Sequence, residues 1–131
     1  AGGGPFACSA VSVAAAEAAL RLPDSVLAAR VDRVRRERGA ITELLSRHDC
    51  HVLPSEANFV LARFVDAQCV WQQLGKRGVR VKRFASPDLA NWLRIGCPGD
   101  AGGLDRLMAA LCEVLHTVDG RREVGPAGGS R

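Results

Sequence analysis

The chain has no tyrosine, and aromatic residues make up only 5% of its 131 residues. RNA-binding sheets stack bases on aromatic side chains, so we expect no nucleic-acid partner although the net charge is +4. Lysine is scarce as well, because Lys76 and Lys82 are the only two among 18 basic residues. Any chemistry that needs a lysine amine is therefore restricted to two positions.

Long apolar runs are also missing. No run approaches the roughly 20 residues that cross a bilayer, and the chain does not open with a basic segment followed by an apolar one. The five cysteines are scattered without a C-x-x-C pair, which is typical of a reducing compartment. We expect no membrane partner and a cytoplasmic location.

Motifs of several catalytic classes are absent from the sequence. It contains neither the G-x-S-x-G of a serine nucleophile nor the G-K-[ST] of a P-loop. Its only cluster of metal-ligand residue types is the adjacent run from His48 to His51. Adjacent residues close a tetrahedron poorly, so we interpret the run as a helix-to-strand turn and predict no metal site.

Two helices are predicted in the first part of the chain. An alanine-rich helix spans Ser9–Leu22 and ends there, because a proline follows and disfavours a helical residue before it. A longer amphipathic helix begins next, with Asp24 or Ser25 as its cap. Gly39 weakens that helix by roughly 1 kcal/mol, but an apolar stripe continues past it at helical spacing. The stripe consists of Leu27, Val31, Val34, Ile41 and Leu45.

Short apolar segments between turn residues predict strands in the second part. The strands are His51–Leu53, Asn58–Phe64, Val79–Phe84 and Trp92–Cys97. Asp66 caps a helix that Gly78 ends in a left-handed conformation. After the glycine-rich Pro98–Gly103, a last amphipathic helix continues through Leu115. The order predicts an α+β fold, a two-layer sandwich in which helices pack on a small, largely antiparallel sheet, preceded by the long amphipathic helix.

Three polar residues in these strands are candidates for ligand binding. Arg94 lies among apolar residues, where a guanidinium needs a partner or a route to water, and its planar fork fits a carboxylate or a phosphate. Lys82 lies in the preceding strand, and Asn58 opens the most apolar one. Strand alternation also allows Arg94 and Lys82 to point into solvent, and Asn58 can instead form a structural hydrogen bond at a strand end. A binding role and a structural role therefore both stay open for these residues.

The order and spacing of these segments resemble the C-terminal third of histidinol-phosphate aminotransferase and its relatives among the fold-type I enzymes that use pyridoxal phosphate (PLP). The resemblance runs from about Pro5 to Leu115. Its most specific pieces are the S-x-A-N-F of Ser55–Phe59, the G-V-x-V-K/R of Gly78–Lys82 and the L-R-I of Leu93–Ile95.

The resemblance implies roles for individual residues. Arg94 would grip the acidic group of an amino-acid or amino-phosphate substrate, and Lys82 or, with a one-residue shift, Arg83 would assist it. PLP would be the cofactor of the full-length enzyme, bound to a lysine in a large domain that comes before this segment. We therefore expect the chain alone to bind no cofactor and not to be catalytic.

The resemblance also implies a domain organisation. Residues 1–22 would be a flexible start and an orphaned helix that packs on the missing large domain, and residues 23–119 would form the small domain. Residues 120–131 would be a flexible tail. The uncovered apolar face of the orphaned helix favours a homodimer.

Two other functions remain open at this point. One is the small domain of a related PLP-dependent enzyme that decarboxylates a phosphorylated amino acid. The other is a stand-alone α+β module that binds an anion or an anionic partner through the arginines of residues 30–38.

Overall fold

The computed structural model describes residue 21 and residues 23–123. The helix predicted over Ser9–Leu22 lies, apart from Arg21, outside these residues. No helix in the described ranges is long and apolar enough to cross a bilayer. The elements are helix α1 (Asp24–Arg47), strands β1 (His51–Val52) and β2 (Phe59–Arg63), helix α2 (Ala67–Lys76), strand β3 (Lys82–Arg83), a 3-10 turn (Pro87–Leu89), strand β4 (Trp92–Gly96) and helix α3 (Ala101–Glu123).

The four strands form one sheet in the order β1-β2-β4-β3, and every neighbouring pair is antiparallel. The longest pairing joins β2 to β4, from Phe59 opposite Gly96 to Arg63 opposite Trp92. Strand β3 adds to the other edge of β4. The predicted α+β class with a small antiparallel sheet is confirmed.

Alternating side chains of the central strands build the core on one face of the sheet. Val60 and Ala62 of β2 and Leu93 and Ile95 of β4 are all 0% exposed. They belong to one cluster with buried residues from all three helices, namely Ile41, Leu45, Ala67, Val70, Leu74, Leu107, Ala110, Leu111, Val114 and Leu115. Each fully buried leucine or isoleucine stabilises the fold by about 1.5–3 kcal/mol. Within the described part of the chain, the opposite face of the sheet carries no helix.

Helix α1 begins at Asp24, which is one residue before the start that a cap at Asp24 would give and two before the start that a cap at Ser25 would give. The backbone carbonyl of Pro23 accepts the N–H of Leu27 at 3.1 Å, so both predicted cap residues lie inside the first turn. The capping prediction was therefore wrong. Proline at this position loses nothing, because the first N–H groups of a helix have no intrahelical partner.

The apolar stripe of α1 is buried only in its second half. Ile41 and Leu45 are fully buried, but Val31 is 48% exposed. The chain divides into two compact units after Asp32, and the unit that carries the sheet begins at Arg33. The stripe therefore belongs to the core only where α1 runs through that unit.

The strand predicted over Val79–Phe84 is mostly not a strand. Gly78 has the left-handed φ of +77° that was expected, but the N–H of Val79 still bonds to the carbonyl of Leu74 and closes α2. Only Lys82 and Arg83 pair with β4. The bond to Leu74 thus takes up the N–H of the first residue of the predicted strand.

The last helix is longer than predicted at both ends. The side chain of Asp100 accepts the N–H of Gly103 at 2.6 Å. The last three residues of the predicted glycine-rich connection, 101–103, therefore belong to the first turn of α3. The helix then continues to Glu123, past Leu115 and into the segment that was expected to be a flexible tail. The predicted cap of α2 is confirmed, since Asp66 accepts the N–H of Cys69 at 2.9 Å.

Candidate anion-binding site

A pocket of about 620 Å³ opens on the face of the sheet opposite the core. Its polar lining comes from Asn58, Arg80, Lys82 and Arg94. No acidic residue of the described ranges lines it. All three sequence-predicted site residues are therefore brought together, and they are joined by a third cation, Arg80.

The two predicted cations face each other across neighbouring strands. Lys82 on β3 is the direct partner of Arg94 on β4. Both side chains are exposed, and within residues 23–123 neither forms an ion pair. Like charges placed directly opposite each other cost about 0.2–1 kcal/mol. Such a pair without a counter-ion favours the binding of an anion between them.

Phe59 positions the guanidinium of Arg94. The Arg94 guanidinium carbon lies 5.2 Å from the centroid of the Phe59 ring, which is within cation–π distance. Phe59 is paired with Gly96, whose missing side chain leaves the space beside the ring open. The N–H groups of Arg94 are thus held over the pocket while they remain accessible.

The structure distinguishes Lys82 from Arg83, the two residues left open by the sequence. The guanidinium carbon of Arg83 lies 4.9 Å from the Trp71 ring of α2, on the helical side of the sheet. The Trp71 indole in turn donates to the carbonyl of Val81 at 3.1 Å. Lys82 alone of the two lines the pocket with Arg94.

Asn58 directly precedes β2 and borders the pocket. Its backbone carbonyl accepts the N–H of Cys97 at 2.8 Å, which joins the start of β2 to the end of β4. The hydroxyl of Ser55 donates to the carbonyl of Phe59 at 2.8 Å and accepts the N–H of Ala57 at 3.1 Å. This turn holds Asn58 at the rim of the pocket, where its side chain is exposed.

Sequence reasoning missed Arg80 and Glu37. Arg80 lies two residues before Lys82, and this period of two would have placed both cations on one side of an extended chain. Glu37 is 3% exposed and accepts the N–H of Gly99 at 2.8 Å. Its spacing of four and eight residues from Ile41 and Leu45 was the available signal.

Cys97 follows β4 beside the pocket, and its thiol packs against the core and α1, 4.0 Å from the carbonyl oxygen of Val34. Burial raises its pKa, the carboxylate of Glu37 raises it further, and the guanidinium of Arg38 partly offsets the rise. Cys97 is therefore kept as a neutral thiol at neutral pH.

The run from His48 to His51 is the predicted turn. Asp49 has a left-handed φ of 59°, and the His48 Nδ1 lies 2.6 Å from Asp119 Oδ2 on α3. The ring of His51 lies against Trp92, with 5.9 Å between centroids. No group of three or more His, Cys, Asp or Glu side chains in the described residues is arranged to hold a metal ion.

Two curated proteins are similar in sequence to this chain over most of its length. Histidinol-phosphate aminotransferase of Thermobifida fusca is 38% identical over 118 residues, which cover 89% of this chain and 30% of that protein. Histidinol-phosphate aminotransferase 1 of Thiobacillus denitrificans is 39% identical over 117 residues, with the same two shares. The chain thus spans about 30% of the length of these relatives.

Two solved structures share the fold. A putative aminotransferase of Burkholderia pseudomallei superposes with a TM-score of 0.57 at 31% identity, over 64% of this chain and 26% of that one. Histidinol-phosphate aminotransferase of Sinorhizobium meliloti, solved in complex with pyridoxal-5'-phosphate, superposes with a TM-score of 0.58 at 24% identity, over 66% of this chain and 24% of that one. The family model of aminotransferase class I and II matches residues 2–111. This chain is therefore a member of the class I and II aminotransferase family.

Proposed function

We propose that the chain is the C-terminal, substrate-gripping small domain of a PLP-dependent aminotransferase similar to histidinol-phosphate aminotransferase. Arg94 anchors the anionic group of an amino-acid or amino-phosphate substrate. The observation that carries the proposal is the direct pairing of Arg94 with Lys82 in a pocket that no acidic residue of the described ranges lines. A cytoplasmic homodimer remains a prediction.

Each pocket residue has a distinct part in this proposal. The guanidinium of Arg94 donates two parallel N–H groups to a carboxylate or a phosphate, while the ammonium of Lys82 adds a point charge. The amide of Asn58 donates to a further oxygen of the same group. Binding energy gained at this remote group fixes the amino end of the substrate in position for reaction.

The described residues do not fit covalently bound PLP by themselves. PLP supplies an electron sink for the reacting carbon when it is bound, and its attachment needs a lysine amine with an acidic partner for the ring nitrogen. Lys76 lies exposed in the last turn of α2, and Lys82 lies in a pocket that no described carboxylate lines. We infer that another part of the enzyme supplies the lysine and that this chain alone is not catalytic.

Steady-state kinetics of the full-length protein with histidinol phosphate as amino donor test the proposal. Arg94→Ala removes a bidentate charged contact, and we expect KM for the donor to rise by about 10- to 100-fold. Arg83→Ala is the matched control, because it removes the same charge next to Lys82 on the other face of the sheet. An unchanged KM in Arg94→Ala, or an equal rise in both variants, contradicts the proposal.

An assay with a phosphorylated amino acid in place of histidinol phosphate, which has no carboxylate to lose, separates the two related reactions. Transamination leaves a keto product and an aminated acceptor, whereas decarboxylation of a phosphorylated amino acid releases CO₂. We expect the keto product.

A further inference from the structure

Two adjacent residues of α1 bond to different loops beside the pocket. Glu37 accepts the backbone N–H of Gly99 through Oε2 at 2.8 Å. Arg38 donates from Nη1 to the backbone carbonyl of Ala57, also at 2.8 Å. Gly99 lies in the loop after β4, and Ala57 directly precedes Asn58 in the loop before β2. One turn of one helix thus contacts both loops that border the pocket.

These two contacts are largely withdrawn from solvent. Glu37 is 3% exposed, and the side chain of Arg38 is 15% exposed. Arg38 also lies 3.8 Å from the carboxylate of Glu56, but that side chain is 93% exposed, so this ion pair contributes little. A buried charge is costly unless it is bonded, and bonds to a charged group are stronger than neutral ones. The two backbone bonds are therefore the contacts that matter for these side chains.

The two loops are coupled to each other and to the site residues. The N–H of Cys97 bonds to the carbonyl of Asn58 at 2.8 Å, and Cys97 itself follows the last residue of β4. Gly99 adopts a left-handed φ of +83°, which lets the loop turn its N–H toward Glu37. A shift of either loop would move Asn58 against the strand that carries Arg94.

We propose that Glu37 and Arg38 are positioning residues, which hold the two loops so that Asn58 and Arg94 can bind the same anion. Neither residue lines the pocket, so they act through the loops and not by contact with the substrate. The inference rests on the proposed function, because it takes the pocket to be the place where the substrate anion binds.

Charge and hydrogen bonding at Glu37 are separable by substitution. Glu37→Gln keeps an acceptor oxygen for Gly99 and removes a negative charge from the vicinity of an anion site. Glu37→Ala removes both. If the acceptor is what matters, Gln preserves anion binding and Ala weakens it.

The experiment compares KM and kcat for histidinol phosphate, and the thermal unfolding midpoint, in variants of the full-length protein. Glu37→Ala and Arg38→Met each raise KM by about tenfold, as expected for a displaced binding group. Glu37→Gln stays within about twofold of the parent, since its hydrogen bond remains. Arg36→Met is the matched control, because Arg36 is exposed on the same helix and its substitution removes the same charge as Arg38→Met.

A double-mutant cycle separates positioning from a purely structural role. In an Asn58→Ala background, Arg38→Met no longer raises KM, because the side chain that it positions through Ala57 is gone, but it still lowers the unfolding midpoint. Additive effects of the two substitutions on KM overturn the inference. An unchanged KM in Arg38→Met also overturns it. If Glu37→Ala does not fold, the result for Arg38→Met is sufficient to test the inference.

Failure of the inference is distinguishable from failure of the proposed function. If Arg94→Ala raises KM but the substitutions at Glu37 and Arg38 do not, only the positioning role is wrong. If Arg94→Ala leaves KM unchanged, the substrate role of the pocket is wrong and the positioning role falls with it.

Discussion

Lys82 and Arg94 lie directly opposite each other on strands β3 and β4, on the face of the sheet away from the core. The sheet thus holds two positive charges side by side without a described counter-ion. Binding of an anion between them adds attraction and relieves repulsion. An anion should therefore stabilise the folded state by mass action.

Substitution of Lys82 separates stability from anion binding. Lys82→Met removes the repulsion with Arg94, so we expect stability in salt-free buffer to be unchanged or higher by up to about 1 kcal/mol. The rise in thermal unfolding midpoint on addition of inorganic phosphate should be smaller than in the parent chain. Differential scanning calorimetry with and without phosphate measures both effects.

Arg83→Met is the control for Lys82→Met. It removes the contact with Trp71, worth about 0.5–1 kcal/mol, but leaves the pocket intact. Its stability should fall while its phosphate response stays that of the parent. A reduced phosphate response in Arg83→Met together with a full response in Lys82→Met would place the anion on the helical face of the sheet. That result would contradict the pocket at Lys82 and Arg94.

Two neighbouring glycines at the start of α3 should respond oppositely to alanine. A Cβ at Gly103 would lie 2.7 Å from the Cβ of Pro98 and 2.9 Å from an oxygen of Asp100, so Gly103→Ala should lower the free energy of unfolding by about 1–3 kcal/mol. At Gly102 the nearest atom would be 3.5 Å away. Gly102→Ala should be neutral or stabilise by up to about 1 kcal/mol. Urea denaturation checks both values, and equal effects would contradict the close packing at Gly103.

Cys97 should make stability fall at alkaline pH. Its pKa is raised in the folded chain by burial and by Glu37, so the unfolded chain loses the thiol proton first. The contribution of Cys97 is fully present below the ordinary thiol pKa of about 8.5 and is lost as pH rises through the folded value. The free energy of unfolding of the parent should fall more steeply above that pH than that of Cys97→Ser.

Alkylation by iodoacetamide gives a second measurement on Cys97. Its rate should reach half of its maximum at a higher pH than the rate for the urea-unfolded chain. Glu37→Gln should lower that pH and Arg38→Met should raise it, because the two charges act on the thiol with opposite signs. Shifts in the reverse directions would contradict the arrangement of these groups.

The helices and the central strands could be predicted because their signals are local. The apolar segments that predicted β2 and β4 are the central strands, with Val60 and Leu93 buried. Asp66 and Gly78 mark the two ends of α2 as its cap and its left-handed residue. Arg94, Lys82 and Asn58 could be named but not joined, because the register of β3 against β4 is a long-range property.

Other features depended on partners that lie far away in sequence. Glu37 and Arg38 look like solvent-exposed charges until Gly99 and Ala57 are brought next to them by the fold. Strand pairing begins only at Lys82, and the N–H of Val79 bonds instead to the carbonyl of Leu74 at the end of α2, which the local sequence pattern does not indicate. Burial and loop contacts of this kind follow from packing and not from periodicity.

Titration of the 131-residue chain with inorganic phosphate, followed by ¹H–¹⁵N NMR, tests the anion pocket most directly. We predict that the largest shift changes fall on the Arg94 side-chain N–H and on the amides of Asn58, Gly96 and Cys97, and that they vanish in Arg94→Ala. The largest changes on the arginines of residues 30–38, with none at Arg94, would contradict the pocket and favour a stand-alone anion-binding module.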